Sequence, residues 1–322
     1  MLKILSTIIL LLIPSVSYAQ KQTIEVISRF DLHITTAFVA SEIIRIVNNM
    51  QDQYEFRIGV TPGAGGEAAD QRAIALARSG KPVLIIGASS SWAYNRYVFG
   101  NTMDRDNDLV PIVAPGGIPF AVQVSPDTGI NTVDELIKYI RSKPEAFHAT
   151  TTANATSKLF ADLFIEHYKL TNVKHISYRL STDMIRGMIG READFAIYNY
   201  ADSPALKVIA VSSDNRAKLF PDAPTGKEIG FPDFKYNTTS SIHTPKESYA
   251  FFAKVAPLFV EACKSKEMQM IFEKAKMMPF CYDNKEATVK IREEIAFMKK
   301  YERIIQANLG PNAQTTNERR TP

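Results

Sequence analysis

The sequence predicts an α/β fold of two domains, with mostly parallel sheets and helices on both faces. Short apolar segments alternate with amphipathic segments of helical period, which is typical of strand–helix–strand units. The roughly 300 residues after the first 19 are enough for two domains of ordinary size. Four strand-to-helix junctions are rich in Ser, Thr, Gly or Asn: Arg29–Thr36, Ser89–Asn95, Thr150–Thr156 and Tyr178–Thr182.

Hydrophobic periodicity places the individual elements, strands as short apolar runs and helices as segments with a 3.6-residue apolar stripe. The predicted strands are Ile24–Ser28, Phe56–Val60, Val83–Ile86, Phe120–Val124, Phe147–Thr150, Val173–Ser177, Asp194–Tyr198 and Val208–Val211. The predicted helices are Ala37–Met50, Glu67–Arg78, Thr132–Ser142, Lys158–Tyr168, Met184–Ile189, Tyr249–Ser265, Met268–Lys276 and Glu286–Ala307. Thr132 followed by Glu135 predicts a capping box at the start of the third helix.

The junctions predict a site for a small anion. Ligands of such sheets bind at the carboxyl ends of the strands, where these junctions fall. Helix N-termini leave backbone N–H groups unpaired and carry a positive partial charge. A fifth turn, Thr61–Gly66, has the same placement between a strand and a helix.

Residues 1–19 have the pattern of a cleavable signal peptide. Lys3 supplies the positive charge, Ile4–Ile13 is an apolar run, and Ser17-Tyr18-Ala19 offers a cleavage site before Gln20. An apolar run of this length is too short for a transmembrane helix, which needs about 20 residues. The absence of a Cys at the cleavage site argues against a lipid anchor. We therefore expect export to the periplasm.

Composition and motifs favour a binding protein over an enzyme or a nucleic-acid-binding protein. The net charge of +4 is scattered along the chain, which does not favour nucleic acid. Gly63–Ala68 fits a dinucleotide fingerprint, but Leu76–Thr102 lacks the acidic residue that should follow. Ser89-Ser90-Ser91 is not a nucleophile elbow, and the five histidines lack metal-ligand spacing. We predict no catalytic residue, metal or cofactor.

The junctions supply the candidate ligand-binding residues. Arg29 and Arg179 are the cations that would pair with a carboxylate, unless each forms an ion pair within the protein. Asp31 would hold a ligand amine or cap the helix at Ala37. The remaining candidates provide hydroxyl, amide, imidazole or aromatic contacts: His33, Ser89, Ser90, Thr152, Asn154, Thr156, Tyr178 and Tyr198. Helix capping is the alternative role of the hydroxyl and amide residues.

The sequence contains two cysteines, Cys263 on a predicted helix and Cys281 after the Met277–Phe280 segment, an expected adjacent strand. An oxidising compartment permits a disulfide between them. Two buried free thiols are the alternative, because the sequence does not give the Cα separation.

Three blocks carry a resemblance to a known family. They are Pro62–Gly66 with Leu84–Gly87, Thr132–Ile137 with Ser142–Pro144, and Phe220–Thr225 with Glu228–Phe234. In this order and spacing they resemble the extracytoplasmic solute receptors of tripartite tricarboxylate transporters, the Bug receptor family, over about residues 22–310.

The resemblance implies a type II periplasmic binding protein-like fold, with two α/β domains joined by crossover strands and a ligand cleft between them. Residues 20–120 plus 240–322, including the C-terminal helices, would form domain 1, and residues 121–239 domain 2. The implied function is a monomeric receptor that delivers a small carboxylate solute to the permease subunits of a tripartite transporter. A sensor or scavenger without a permease is the alternative.

The sequence departs from the family pattern at the junctions. Glycine-rich turns of the family are replaced by larger residues in Arg29–Thr36, Ala149–Thr156 and Ser177–Leu180. Larger residues prevent the close backbone approach that glycine permits. We therefore expect a pocket in the family's position with a changed shape and a changed ligand.

Overall fold

The structure, a computed structural model, describes residues 21–32, 34–61, 66–89, 108–151, 155–200, 203, 205–213, 215–216 and 220–309 of the 322 residues. The predicted signal peptide, residues 1–19, lies outside these ranges. Within the described ranges, no helix combines the length and the apolar character that crossing a bilayer requires.

Strands and helices alternate through most of the chain, as the sequence predicts. The strands are β1 (Gln22–Ser28), β2 (Tyr54–Val60), β3 (Val83–Ala88), β4 (Leu109–Val124), β5 (Ala146–Thr151), β6 (Val173–Tyr178), β7 (Phe195–Asn199), β8 (Lys207–Val211), β9 (Asn237–Pro245) and β10 (Met278–Tyr282). The helices are α1 (Thr35–Met50), α2 (Glu67–Arg78), α3 (Val133–Ser142), α4 (Ala155–His167), α5 (Ser181–Ile189), α6 (Tyr249–Phe252), α7 (Ala256–Lys264), α8 (Lys266–Ala275), α9 (Asn284–Lys300) and α10 (Glu302–Leu309).

The strands form a 10-stranded sheet in the order β2-β1-β3-β9-β4-β7-β5-β6, with β8 and β10 also paired to β4. Parallel pairs occur at the two ends, β1 with β2 and β3, and β5 with β6 and β7. The central strands β4 and β9 pair antiparallel with each other and with their neighbours. The sheet is therefore mixed rather than mostly parallel.

The long strand β4 connects the two halves of the molecule. Its first part pairs with β9, and residues from Phe120 onward pair with β7 and β8. The sequence predicted only Phe120–Val124 as a strand and did not predict β9. Prolines at positions 111 and 115 and bulges on either side of Val113 hide the start of β4 from a periodicity search.

Two large apolar cores lie on the two halves. One packs α1 and α7 on β1 and β3, with Ile43 and Phe259 fully buried. The other packs α3 and α4 on β4 and β7 around Phe120 and Phe160. Met298 at the end of α9 and Ile305 of α10 belong to this second core, so the C-terminal helices reach across both halves. The domain boundaries themselves stay a prediction.

Two predicted helices are each split in the structure. Tyr249–Ser265 divides into α6 and α7 because Pro257, which lacks an N–H group, lies in the first turn of α7. Glu286–Ala307 divides into α9 and α10 at Tyr301, whose side chain is buried against Phe297. The predicted capping box at Thr132 is present.

A disulfide joins Cys263 of α7 to Cys281 of β10, with their Cα atoms 5.6 Å apart. The alternative of two free thiols is therefore wrong. The bond ties a helix of the first core to the strand that pairs with β4, next to the connection between the halves.

Candidate functional site

The carboxyl ends of the parallel strands in the two halves point toward each other. Strand β4 runs in the same direction as β1 and β3 but opposite to β5, β6 and β7, as the pairings through β9 and β7 show. The last residue of β3 pairs with Ser240 of β9. The last residue of β7 pairs with Phe120 of β4, and the residue before Phe120 pairs with Asn237 of β9. About four residues of strand, or roughly 13 Å, therefore separate the two carboxyl edges along the strands.

Three of the helices that begin at these edges have N-cap residues whose side chains do not cap them. The N-cap residues of α1, α2 and α5 are Ile34, Gly66 and Leu180, and none of them caps its helix through a side chain. Elsewhere, α3, α8 and α9 are capped by threonine, serine and aspartate side chains. The uncapped amides and the helix dipoles favour an anion at the facing edges.

Arg29 has the alternative role that the sequence left open, an ion pair within the protein. Its side chain is fully buried, and its Nε lies 3.4 Å from Oδ1 of Asp70 in the first turn of α2. Gly66 makes room for the guanidinium, because a Cβ at that position would lie 2.1 Å from Arg29 Nε. Burial and the charge of Arg29 lower the pKa of the neighbouring His243 to about 3. Arg29 therefore holds the end of β1 against α2.

Ser89, expected on the edge, also points into the interior. Its hydroxyl accepts a hydrogen bond from the Thr239 amide of β9 at 3.0 Å. Thr239 donates in turn through Oγ1 to the buried Glu294 of α9, at 2.5 Å. Burial raises the pKa of Glu294 to about 7, and hydrogen bonds from Ser89 and Thr239 oppose that rise. A cavity of about 330 Å³, lined in part by Glu294 and Tyr236, adjoins this cluster.

On the second half, Arg179 has the exposed position that the sequence predicts for a ligand-binding cation. It directly follows β6, its side chain is exposed, and no described acidic residue pairs with it. On the first half, Asp31 is exposed in the β1–α1 junction. Its backbone carbonyl accepts from the Ile34 amide, and its side chain does not cap α1.

The side chains of the remaining described candidates contact other protein groups near the second edge. Tyr198 is buried, and its hydroxyl lies 3.0 Å from Thr151 Oγ1 at the end of β5. Thr156 is buried in the first turn of α4. Tyr178 packs over Gly187 and donates to Glu192 at 3.2 Å, and burial together with Glu192 raises its pKa to about 12. The other four candidates lie outside the described residues: His33, Ser90, Thr152 and Asn154.

A buried histidine chain beside the second edge was not predicted from the sequence. The Ile197 amide donates to His148 Nε2 at 3.1 Å, so His148 carries its proton on Nδ1 and donates to His175 Nδ1 at 3.0 Å. His175 then donates through Nε2 to Asp162 at 2.8 Å. Sequence spacing could not show this, because the two histidines meet only when β5 and β6 pair. The described residues contain no group of three or more side chains suited to a metal ion.

Comparisons with known proteins agree on one family. The description "Tripartite tricarboxylate transporter family receptor" matches residues 46–309. Protein BugT of Bordetella pertussis is 24% identical over 192 residues, which are 57% of this chain and 59% of BugT. The chain thus spans little more than half the length of the curated relatives it matches.

Solved structures share the fold at low sequence identity. Rpa4515 of R. palustris, solved with adipate, matches with a TM-score of 0.71 and 19% identity over 88% of this chain and 97% of that one. MatC of Rhodopseudomonas palustris, with bound malate, has a TM-score of 0.68 and 17% identity over 88% and 99% of the two chains. The fold is that of the α/β periplasmic binding proteins. Because the family description covers far more than half of the sequence, this chain belongs to the tripartite tricarboxylate transporter receptor family.

Proposed function

We propose that the protein is a periplasmic receptor that captures a small carboxylate-bearing solute between its two halves and delivers it to the permease of a tripartite transporter. The observation that carries the proposal is the pair of facing carboxyl edges, at which α1, α2 and α5 begin without side-chain caps. The relatives solved with adipate and malate support a carboxylate as the solute class.

Within this proposal, the roles of the candidate residues divide by exposure. Arg179 and the amides that open α5 contact the carboxylate from the second half, and the amides that open α1 contact it from the first. Arg29, Ser89, Thr156 and Tyr198 are buried and position the loops that surround the solute. Tyr178 forms a wall, and Asp31 faces the rest of the solute. His33, Ser90, Thr152 and Asn154 stay predicted contacts.

Capture would proceed by rotation of the halves about β4 and β9, the strands that pass between them. A solute that touches both edges favours the closed arrangement, because it gains contacts there that it lacks in the open one. Export through cleavage before Gln20 and delivery to permease subunits by a monomeric receptor complete the proposal.

A thermal-shift screen of the mature protein, residues 20–322, tests the proposal. The protein is first unfolded and refolded to remove carried-over ligand, then screened against mono-, di- and tricarboxylates and against matched neutral amides. A solute at 100 times its dissociation constant adds about 2.7 kcal/mol to native stability. We expect a shift with at least one carboxylate and none with its amide. Equal shifts with both, or no shift with any carboxylate, would contradict the proposal.

A further inference from the structure

On the side that faces β5, the end of β7 is held by side chains. Ala149 and Ala196 form the last backbone pair in the register of the two strands. The next residue of β7, Ile197, donates its amide to His148 Nε2 at 3.1 Å and accepts at its carbonyl from Ser157 Oγ at 2.5 Å. Ser157 lies in the first turn of α4, which begins at the same carboxyl edge. His148 and Ser157 therefore fix the end of β7 against the start of α4.

The hydrogen bonds of the histidine chain all point in one direction, from Ile197 towards Asp162. Each ring accepts through one nitrogen and donates through the other, His148 to His175 and His175 to Asp162. The chain is complete with one proton on each ring. A second proton on His148 would face the Ile197 amide, and a second proton on His175 would face the Nδ1–H of His148. One hydrogen bond of the chain must therefore break whenever a proton is added.

The surroundings of His148 oppose an added proton as long as the chain is intact. His148 is fully buried, whereas the side chains of His175 and Asp162, at the other end of the chain, are 20% and 21% exposed. Burial lowers the pKa of His148 most, the neighbouring His175 and Lys158 lower it further, and Asp162 raises it. The adjacent strand β7 contributes the uncharged ring of Phe195. The chain can thus take up a proton only by opening.

We infer that the histidine chain makes solute capture depend on pH, because the second edge has its binding geometry only while His148 and His175 are both neutral. A charged chain leaves the buried Ile197 amide without its acceptor, which is costly, and frees the end of β7 from the start of α4. His148 and His175 are positioning residues and do not touch the solute. The inference rests on the proposed function, and it assigns a regulation to that same site. Since proton and solute exclude each other, each weakens the binding of the other.

Calorimetric titration of the mature protein at pH 7.5 and pH 5.5 tests the inference. The titrant is the carboxylate that gives the largest shift in the thermal-shift screen. We expect the wild-type affinity to fall about tenfold or more, since release of one proton on binding costs up to about tenfold per pH unit. In the double variant His148→Gln/His175→Gln, two amides relay the hydrogen bonds without taking up a proton, and the affinity should change by less than about threefold.

The double variant meets the same titrant as the wild type, so ionisation of the solute itself affects both proteins equally. His167→Gln, an exposed change at the end of α4, is the control for the loss of a histidine. Unchanged wild-type affinity, or an equal loss in the double variant, would overturn the inference and leave the proposed function intact. Failure of every carboxylate to bind at pH 7.5 would overturn both.

Two measurements on the wild type test the inference without any variant that must fold. Nitrogen-15 NMR of the histidine rings at pH 7.5 should show the proton of His148 on Nδ1, and a proton on Nε2 instead would overturn the inference. Titrations at pH 5.5 in buffers of different ionisation enthalpy should show that the protein releases protons when the carboxylate binds. Binding without proton release would equally overturn it.

Discussion

At the scale of single residues, the first edge depends on a glycine and a buried ion pair. Gly66 has φ +90°, and the Arg29 guanidinium occupies the space where a Cβ would be. A side chain at this position must displace either the guanidinium or the start of α2. Displacing the guanidinium separates a buried charge from Asp70, which is strongly destabilising.

Gly66→Ala should therefore reduce the free energy of unfolding by about 2–4 kcal/mol. Gly80→Ala is the matched control, because Gly80 has φ +79° but no atom within 4 Å of the place that a methyl group would take. Only the backbone strain of about 1 kcal/mol should appear there. Denaturant unfolding measures both variants, and equal losses would show that the contact with Arg29 is not a significant constraint.

Another residue-scale prediction concerns the buried His148. Burial holds its pKa well below the ordinary value of 6.5, with the charge of His175 as a smaller cause. Its neutral form therefore stabilises the fold above pH 6.5, and this contribution is lost as the pH falls toward the folded-state pKa. The chain of hydrogen bonds through His175 to Asp162 and Lys158 depends on the same neutral form.

Unfolding free energies of the wild type and of His148→Gln should converge as the pH falls. The wild type's advantage should shrink by about 1 kcal/mol between pH 6.5 and 5.5, since one proton per pH unit is worth about 1.4 kcal/mol. His167→Gln, an exposed change at the end of α4, serves as the control for the loss of a histidine. A constant difference for His148→Gln would contradict the neutral-histidine account.

At the scale of elements, α9 brings a carboxyl group into the connection between the halves. Glu294 is 3% exposed and accepts a hydrogen bond from the Thr239 hydroxyl of β9. Burial raises its pKa to about 7. An acid whose pKa is raised by folding contributes its full stabilisation below pH 4.5, the pKa of the group in the unfolded chain. This stabilisation is lost progressively as the pH rises from 4.5 to about 7, where the buried group ionises.

Glu294→Gln keeps the shape of the protonated acid and removes the ionisation. The variant should gain stability relative to the wild type as the pH rises, by about 2–3 kcal/mol between pH 4.5 and 8. Denaturant unfolding at the two pH values measures the gain. Glu293→Gln alters the exposed neighbour, whose side chain is 65% exposed, and serves as the control. A gain of the same size in both variants would rule out burial of Glu294 as its cause.

Strand β9 shows why some elements could not be predicted. Its nine residues include five with Ser or Thr hydroxyls, yet all nine are buried between β3 and β4. Two of the hydroxyls donate to backbone carbonyls, Thr244 to Val83 at 2.9 Å and Ser240 to Thr36 at 3.4 Å. The strand lacks hydrophobic alternation, because pairing with the adjacent strands β3 and β4, and not the pattern of its own side chains, determines its conformation. The outer strands and helices, which have clear periodicity, were predicted within a few residues.

At the scale of the whole molecule, the sequence predicted the strand-to-helix junctions better than the directions of their side chains. The parallel strand–helix units that carry the junctions follow from local patterns, whereas the antiparallel pairing of β4 and β9 that turns the two edges toward each other does not. Whether a junction side chain points outward depends on distant partners, namely Asp70 for Arg29 and Thr239 for Ser89. Only the folded chain brings those partners together, so the sequence could not separate Arg29 from Arg179.

Calorimetric titration of Arg179→Ala against the wild type tests the central claim most directly. The carboxylate with the largest thermal shift is the titrant, and Arg186→Ala, an exposed arginine of α5 paired with Asp183, is the control. Loss of a charged hydrogen bond should weaken binding by about 1.5–3 kcal/mol, or more than tenfold, while Arg186→Ala binds as the wild type does. Unchanged affinity in Arg179→Ala would contradict a carboxylate site at the facing edges.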